Sequence, residues 1–355
     1  MNLAKLACKR VQELTPYQSA RRIGGVGRVY LNANESPEAT AFALDPSVYN
    51  RYPECQPPEL LEAYAAYAGV NPQQVIVARG SDEIIGLLCR AFCEPGREAV
   101  LICPPTYGMY SIAAETNGIE TLKADPDENF QPDCDAIEKI LDRKPVKALF
   151  LCSPNNPTGT LLERDRLIRL LEKTQGRALV VVDEAYIEFA SEHTFVDLLE
   201  QYRHLVITRT LSKAFGLAGL RCGFALADPE VVSLLLKVID PYPICAPVAQ
   251  VAAEALKPEN VEIMRRRVTE LNGIRNEFLE KCSKLSFVTA SFDCNGNYVL
   301  LRFKDGNGIF EAARKAGFIL RNFDDKPRLK DCVRITVGSR AEMDDLYAFL
   351  KEQEK

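Results

Sequence analysis

LVITRTLSKAFGLAGLRCGFALA occupies residues 205–227, and its reading decides the fold. It opens and closes on apolar runs, LVITR (205–209) and GFALA (223–227), with a single lysine, Lys213, between them. Thr210 and Ser212 precede that lysine, Arg221 follows eight positions on, and Gly216, Gly219 and Gly223 leave room for other groups to approach. Lysine is rarely buried without a partner, so a cation among small and apolar residues asks for a chemical reason.

Outward from this stretch, further short apolar runs recur: VIVA (75–78), AVLIC (99–103), KALFLC (147–152) and ALVVV (178–182), separated by helix-length segments. Nearly continuous Val, Ile and Leu in short runs means strands buried on both faces. Alternation with helices then predicts an α/β fold, a large domain with a mostly parallel sheet flanked by helices. After DPYPICAPV (240–248), whose three prolines are expected to interrupt regular structure, the pattern changes. A charged helical stretch near 259–283 leads into NYVLLRF, GFILRNF and CVRITVG, which predict a smaller α+β C-terminal domain. The expected organisation is an N-terminal arm over 1–30, a large domain over 31–246 and a small domain over 247–355.

The totals agree. A chain of 355 residues is too long for most single cores. Hydrophobic residues at 47% and charged residues at 26% are ordinary for a globular protein. The net charge of −5, with both signs interspersed, carries no nucleic-acid footprint. No apolar run approaches the roughly 20 residues of a membrane helix. MNLAKLACKR is too short and too charged for a secretory apolar region, so a cytoplasmic location is expected. Twelve cysteines form no C-x-x-C pair, and the two histidines, His193 and His204, lie near none of them. Cys103 and Cys152 sit inside apolar runs, where a thiol acts as a small core residue. Reduced, structural cysteines and no metal site follow.

In open parallel sheets, ligands bind beyond the carboxyl ends of the strands. After VIVA come Gly80, Ser81 and Asp82; after AVLIC, Tyr107; after KALFLC, Asn156; after ALVVV, Asp183 and Tyr186; after LVITR, Thr210, Ser212 and Lys213. Each has an ordinary reading. Ser81 and Asp82 can cap a helix, SPNNPTG (153–159) can be a turn, Tyr107 can be packing, and Asp183 can be an N-cap. Those readings must hold together at five strand ends, whereas one composite site explains them all. A dinucleotide site is the rival for a parallel sheet, but GGVG (24–27) precedes a strand and lacks the third spaced glycine.

A desolvated lysine loses proton affinity and becomes a nucleophile toward carbonyls. Hydroxyls and Arg221 supply donors for a phosphate, helped by backbone N–H groups at the Gly80–Ser81–Asp82 turn. A carboxylate can keep a pyridinium nitrogen protonated. Pyridoxal phosphate needs all of these partners.

SPNNPTG (153–159), DEAY (183–186) and SKAFGLAGLRCG (212–223) resemble the aspartate-aminotransferase superfamily of fold type I pyridoxal-phosphate enzymes. The likeness runs over nearly the whole chain. LTPYQSARR, LNANE, NRYPECQP, PPTYGMY and RITVG are similar, within it, to the histidinol-phosphate aminotransferase family. The resemblance implies that Lys213 holds the cofactor as an internal aldimine and moves the proton between the substrate α-carbon and the cofactor. It implies that Asp183 pairs with the pyridine nitrogen, and that Asn156 and Tyr186 hydrogen-bond the phenolic oxygen and lower the aldimine pKa. It places Tyr107 on the ring face, and Ser81, Asp82, Thr210, Ser212 and Arg221 around the phosphate. Tyr52 in NRYPE is implied to reach the phosphate of a partner subunit, making a homodimer the active unit.

Alternation in CVRITVG puts Cys332, Arg334 and Thr336 on one strand face. Arg334 could be a solvated edge charge. The resemblance instead implies that Arg334, Arg321 and Tyr17 bind the phosphate of the substrate, that Asn34 lines the same pocket, and that 2-oxoglutarate reuses the arginines. The implied activity is amine transfer from L-histidinol phosphate to 2-oxoglutarate in histidine biosynthesis. On the same fold, an aromatic-amino-acid aminotransferase or a decarboxylase of a phosphorylated amino acid is the alternative. A pyridoxal-phosphate-binding regulator is expected to carry a basic helix-turn-helix segment, and none precedes residue 31.

Overall fold

A computed structural model describes residues 6–15 and 19–354 of the chain. Its strands are β1 (Val29–Tyr30), β2 (Val75–Ala78), β3 (Ala99–Ile102), β4 (Glu120–Lys123), β5 (Val146–Cys152), β6 (Leu179–Asp183), β7 (Leu205–Thr210), β8 (Gly223–Ala227), β9 (Val288–Ser291), β10 (Tyr298–Phe303), β11 (Phe318–Ile319), β12 (Arg321–Asn322) and β13 (Cys332–Thr336).

Seven of them form one sheet in the order β2-β8-β7-β6-β5-β3-β4. Only β8 runs against its neighbours; the remaining strands are mutually parallel. Each apolar run quoted above became a strand because helices cover both faces. Alternate residues serve two apolar layers: Val180 and Val182 pack into one, and Val181 with Phe150 and Val206 into the other. The edge strand β4, ETLK, went unread because it presents no apolar run. Two of its residues are exposed and two half-buried.

A second sheet, wholly antiparallel, has the order β12-β13-β10-β9. Its strand β13 lies inside that sheet with all five residues buried, which excludes the solvated-edge reading of Arg334. The two-stranded pair β1-β11 joins Val29–Tyr30 in parallel to Phe318–Ile319. A polypeptide stretch from the start of the chain is thereby hydrogen-bonded to one near its end, a connection that no local pattern signals. The prolines of 240–248 do not all interrupt structure. Pro247 occupies the first turn of the Ala246–Ala255 helix, where its missing N–H has no intrahelical partner to lose.

Two glycines bring the sheet against the start of the Ser81–Phe92 helix. A Cβ on Gly223 would stand 2.3 Å from the Ser81 nitrogen, so β8 can meet that helix only through a glycine. Gly80 has φ +82°, and a Cβ there would press on the Arg221 guanidinium at 2.8 Å. All twelve cysteines are free thiols. Among the described residues no side-chain cluster could hold a metal ion, and no helix is long and apolar enough to cross a membrane.

Candidate active site

The adjacent parallel strands β5, β6 and β7 end side by side, with Cys152 level with Asp183 and Asp183 level with Thr208. The segments that follow carry Asn156, Tyr186 and Lys213. Asp183 is only 2% exposed. The Tyr110 hydroxyl donates to its Oδ2 at 2.8 Å and the Ala185 N–H to its Oδ1 at 3.1 Å. Burial outweighs those donors and pushes the carboxyl up to about 6.

Lys213 is half-buried; its Nζ donates to the Ala33 carbonyl at 3.0 Å and lies 5.6 Å from the Tyr186 ring centroid. Desolvation, aided by the nearby positive charge of Arg334, lowers its pKa to about 8. The lowered value raises the share of neutral amine near neutral pH, the form a carbonyl nucleophile must take.

Around Tyr186 the polar groups interlock. Asn34 Nδ2 and Asn156 Nδ2 both donate to its hydroxyl oxygen, at 3.1 and 3.2 Å. Asn156 Oδ1 accepts from Arg334 Nη1 at 2.5 Å, and Arg334 Nη2 donates to the Asn32 carbonyl at 2.8 Å. The guanidinium of Arg334 also lies 5.5 Å from the ring centroid of Tyr298 and 5.3 Å from that of Phe323. Asn34 adopts φ +52°, a left-handed conformation that asparagine tolerates better than most residues.

A third corner is rich in donors. Thr210 Oγ1 donates to Ser212 Oγ at 2.9 Å, and Arg221 Nη1 reaches the same oxygen at 3.4 Å. Arg221 Nη2 pairs with Asp82 Oδ2 at 3.2 Å, while the Tyr107 hydroxyl donates to Asp82 Oδ1 at 2.9 Å. These groups meet beside the N-terminus of the Ser81–Phe92 helix, whose backbone N–H groups and dipole favour an anion.

Three corners of one site are therefore present: a lysine of lowered pKa, a buried carboxylate and an anion cradle. Residues 27–350 match the family described as aminotransferase class I and II. The chain belongs to the class I and II aminotransferases. Its relatives include the histidinol-phosphate aminotransferase of Aeromonas hydrophila, 55% identical over 352 residues that cover 99% of this chain and 98% of that one. The histidinol-phosphate aminotransferase of Escherichia coli O9:H4 is 50% identical over 354 residues, covering 100% and 99%. Among solved structures, the histidinol-phosphate aminotransferase of Sinorhizobium meliloti in complex with pyridoxal-5'-phosphate has the same fold, with a TM-score of 0.83 over 98% of this chain and 97% of that one at 22% identity. That of Clostridium acetobutylicum gives 0.82, covering 92% and 99%, also at 22% identity.

In this aminotransferase, Lys213, Asp183, Tyr186, Asn156, Ser81, Asp82, Tyr107, Thr210 and Ser212 stand at or follow the strand ends where the sequence put them, and Arg221 stands just before β8. Arg321 lies directly across the ladder from Arg334. Asn34, expected against substrate, is fully buried and spends its amide on Tyr186 and Thr336. Tyr52 stands apart from the cluster, 81% exposed and stacked on Tyr242 with 4.5 Å between ring centroids. Tyr17 lies outside the described residues. Sequence reading missed Tyr110, Asn32, Asn297 and Thr336. Thr336 shares the strand face of Arg334, so its spacing carried a signal, whereas Tyr110 lies in the Met109–Thr116 helix and meets Asp183 only through packing.

Proposed function

We propose that the chain is a pyridoxal-phosphate-dependent transaminase that moves the amino group of L-histidinol phosphate to 2-oxoglutarate, giving imidazole-acetol phosphate and glutamate, in histidine biosynthesis. The observation that carries this reading is a lysine whose pKa is lowered to about 8, set beside Tyr186 after β7, with a buried carboxylate at the end of the neighbouring strand β6 and an anion cradle at Ser212 and Arg221. Relatives named histidinol-phosphate aminotransferase, at 50% and 55% identity over nearly the full chain, support the substrate.

The donor set fits the cofactor. When bound, pyridoxal phosphate supplies an aldehyde and a ring that accepts the electrons of the substrate Cα–H bond. Thr210, Ser212, Arg221 and the main-chain N–H groups of Ser81 and Asp82 hold its phosphate. Asp183, desolvated and without a cationic partner among the described residues, would gain a protonated ring nitrogen as partner and keep the proton there. Asn156 and Tyr186 donate to the phenolic oxygen, and Tyr107 covers a ring face. Lys213, as the neutral amine, would take the proton from the substrate α-carbon and deliver it to the carbon that had been the cofactor's aldehyde, across the intervening nitrogen. Arg334 and Arg321, with Tyr17, bind the substrate phosphate, and the carboxylates of 2-oxoglutarate use the same guanidinium groups.

The same reading makes the enzyme a cytoplasmic homodimer in which Tyr52 completes the partner's phosphate site. It divides the chain into an arm (1–30), a cofactor domain (31–246) and a small domain (247–355). An 81% exposed tyrosine stacked on a second exposed tyrosine, near exposed Leu44, Val48 and Tyr49, supports a face that a second copy covers.

Lys213→Ala is expected to remove the visible absorbance of the cofactor-loaded protein and all multiple turnover; steady-state activity retained in full refutes the assignment of Lys213. Mixing the yellow protein separately with histidinol phosphate, phenylalanine and aspartate tests the substrate. Histidinol phosphate should bleach the band at the lowest concentration, and a wide margin for phenylalanine refutes this substrate in favour of an aromatic one.

A further inference from the structure

We propose that Asn34 is a positioning residue that holds the Tyr186 hydroxyl as a donor-only group and ties it to the strand that carries Arg334. The two amide hydrogen bonds at Tyr186 both run toward its hydroxyl oxygen. A guanidinium can only donate, so Arg334 Nη1 fixes Asn156 with Oδ1 toward the arginine and Nδ2 toward Tyr186. The backbone N–H of Asn34 donates to Thr336 Oγ1 at 2.9 Å. The Thr336 hydroxyl gives its own proton to Asn34 Oδ1, 3.1 Å away. That leaves Asn34 Nδ2 facing Tyr186. A phenol oxygen has two acceptor sites and one proton. Two amide donors fill both acceptor sites, and the hydroxyl proton is left to donate outward.

Burial keeps that proton in place, since desolvation raises the Tyr186 pKa well above its ordinary value of 10.0. The backbone around Asn34 is held as firmly as its amide. The carbonyls of Asn32, Ala33 and Asn34 accept in turn from Arg334, Lys213 and Asn297. Three consecutive carbonyls thus touch the substrate-gripping arginine, the catalytic lysine and a buried asparagine. Asn34 is the only residue of the three whose side chain also reaches a hydroxyl of the site. A substrate-lining role alone does not explain these contacts, because the amide nitrogen and oxygen each already have a partner within the protein.

The proposal rests on the pyridoxal-phosphate reading, in which Tyr186 donates to the phenolic oxygen. Losing a directed donor there favours the protonated form of the lysine–cofactor linkage, so the pH midpoint of the visible absorbance change should rise. Asn34→Gly accommodates φ +52° without strain and removes the amide. Its midpoint is expected to rise by about one pH unit, the size of one hydrogen bond to a charged group. Its kcat should fall about tenfold, with KM for histidinol phosphate within about twofold. Thr336→Val, a same-shaped change on an interior strand, frees the amide to turn and should shift the midpoint the same way by roughly half as much. In a Tyr186→Phe background, Asn34→Gly should add no further shift. The visible band of the unaltered protein, read first, tests the cofactor reading; the variant midpoints, measured against it, test this one. An unchanged midpoint with a raised KM, or shifts that add fully in the double variant, overturns the proposal.

Discussion

At Lys213 opposed effects meet. Arg334 and Arg221 repel a proton from the amine, Asp82 and Glu35 attract one, and burial decides the balance, taking the pKa from an ordinary 10.5 to about 8. The neutral amine is the form that attacks an aldehyde, so its population rises with pH through that value. Cofactor-free protein should accordingly capture pyridoxal phosphate at a rate that climbs with pH and levels off above a midpoint near 8, followed by stopped-flow absorbance. Arg334→Leu removes a neighbouring cation, and the midpoint should move upward. A midpoint that stays put in that variant would show that Arg334 has no influence on the lysine. The lysine, the carboxylate and the hydroxyls were legible in sequence because each follows an apolar run. Tyr110 was not, because its donation to Asp183 depends on how the helix after β3 packs across the strand ends. Asn34 was named from a motif, and only the packed chain shows that its amide meets Tyr186 and Thr336.

Strands β6 and β7 carry a second device, one residue from the chemistry. Glu184 follows Asp183, and Arg209 precedes Thr210. Their side chains pair almost wholly out of water, with Arg209 Nη2 2.8 Å from Glu184 Oε2. Thr194 Oγ1 and the Phe195 N–H complete the shell of the carboxylate. Removing one member of such a pair leaves a buried charge uncompensated, whereas replacing both can be nearly neutral. Arg209→Met should lower stability by about 3–5 kcal/mol in thermal or denaturant unfolding, and adding Glu184→Leu should restore most of it. Equal losses in the single and double variants would mean that the pair contributes packing rather than charge compensation. Legibility at this scale followed burial. Runs covered on both faces were readable, while β4 (ETLK) and β9 (VTAS), each half exposed, carried too little apolar signal.

For the molecule as a whole, the exposed Tyr52–Tyr242 stack is where the proposed dimer can be tested. Sedimentation should give twice the 39.6 kDa of one chain. Tyr52→Phe should keep that mass and weaken cofactor retention about tenfold, the size of one lost charge-assisted hydrogen bond. An active protein that sediments as a single chain contradicts the shared site. The two sheets agree with the change of pattern read near residues 240–248. The β1-β11 pairing does not follow from that pattern, because its partners lie almost a full chain length apart and each offers only two residues.

By itself the sequence determined which segments are strands buried on both faces and which chemical groups follow them. Both are local properties: apolar periodicity answers to burial, and a polar group directly after an apolar run is held at the edge of the core. Tertiary structure alone decided the partners. Asp183 meets Tyr110, Arg334 meets Asn156, and the Asn32–Asn34 carbonyls meet Arg334, Lys213 and Asn297, because hydrogen bonds between residues far apart in the chain depend on strand order and register. No single segment encodes that order; it emerges when the helices bury both faces of the sheet together.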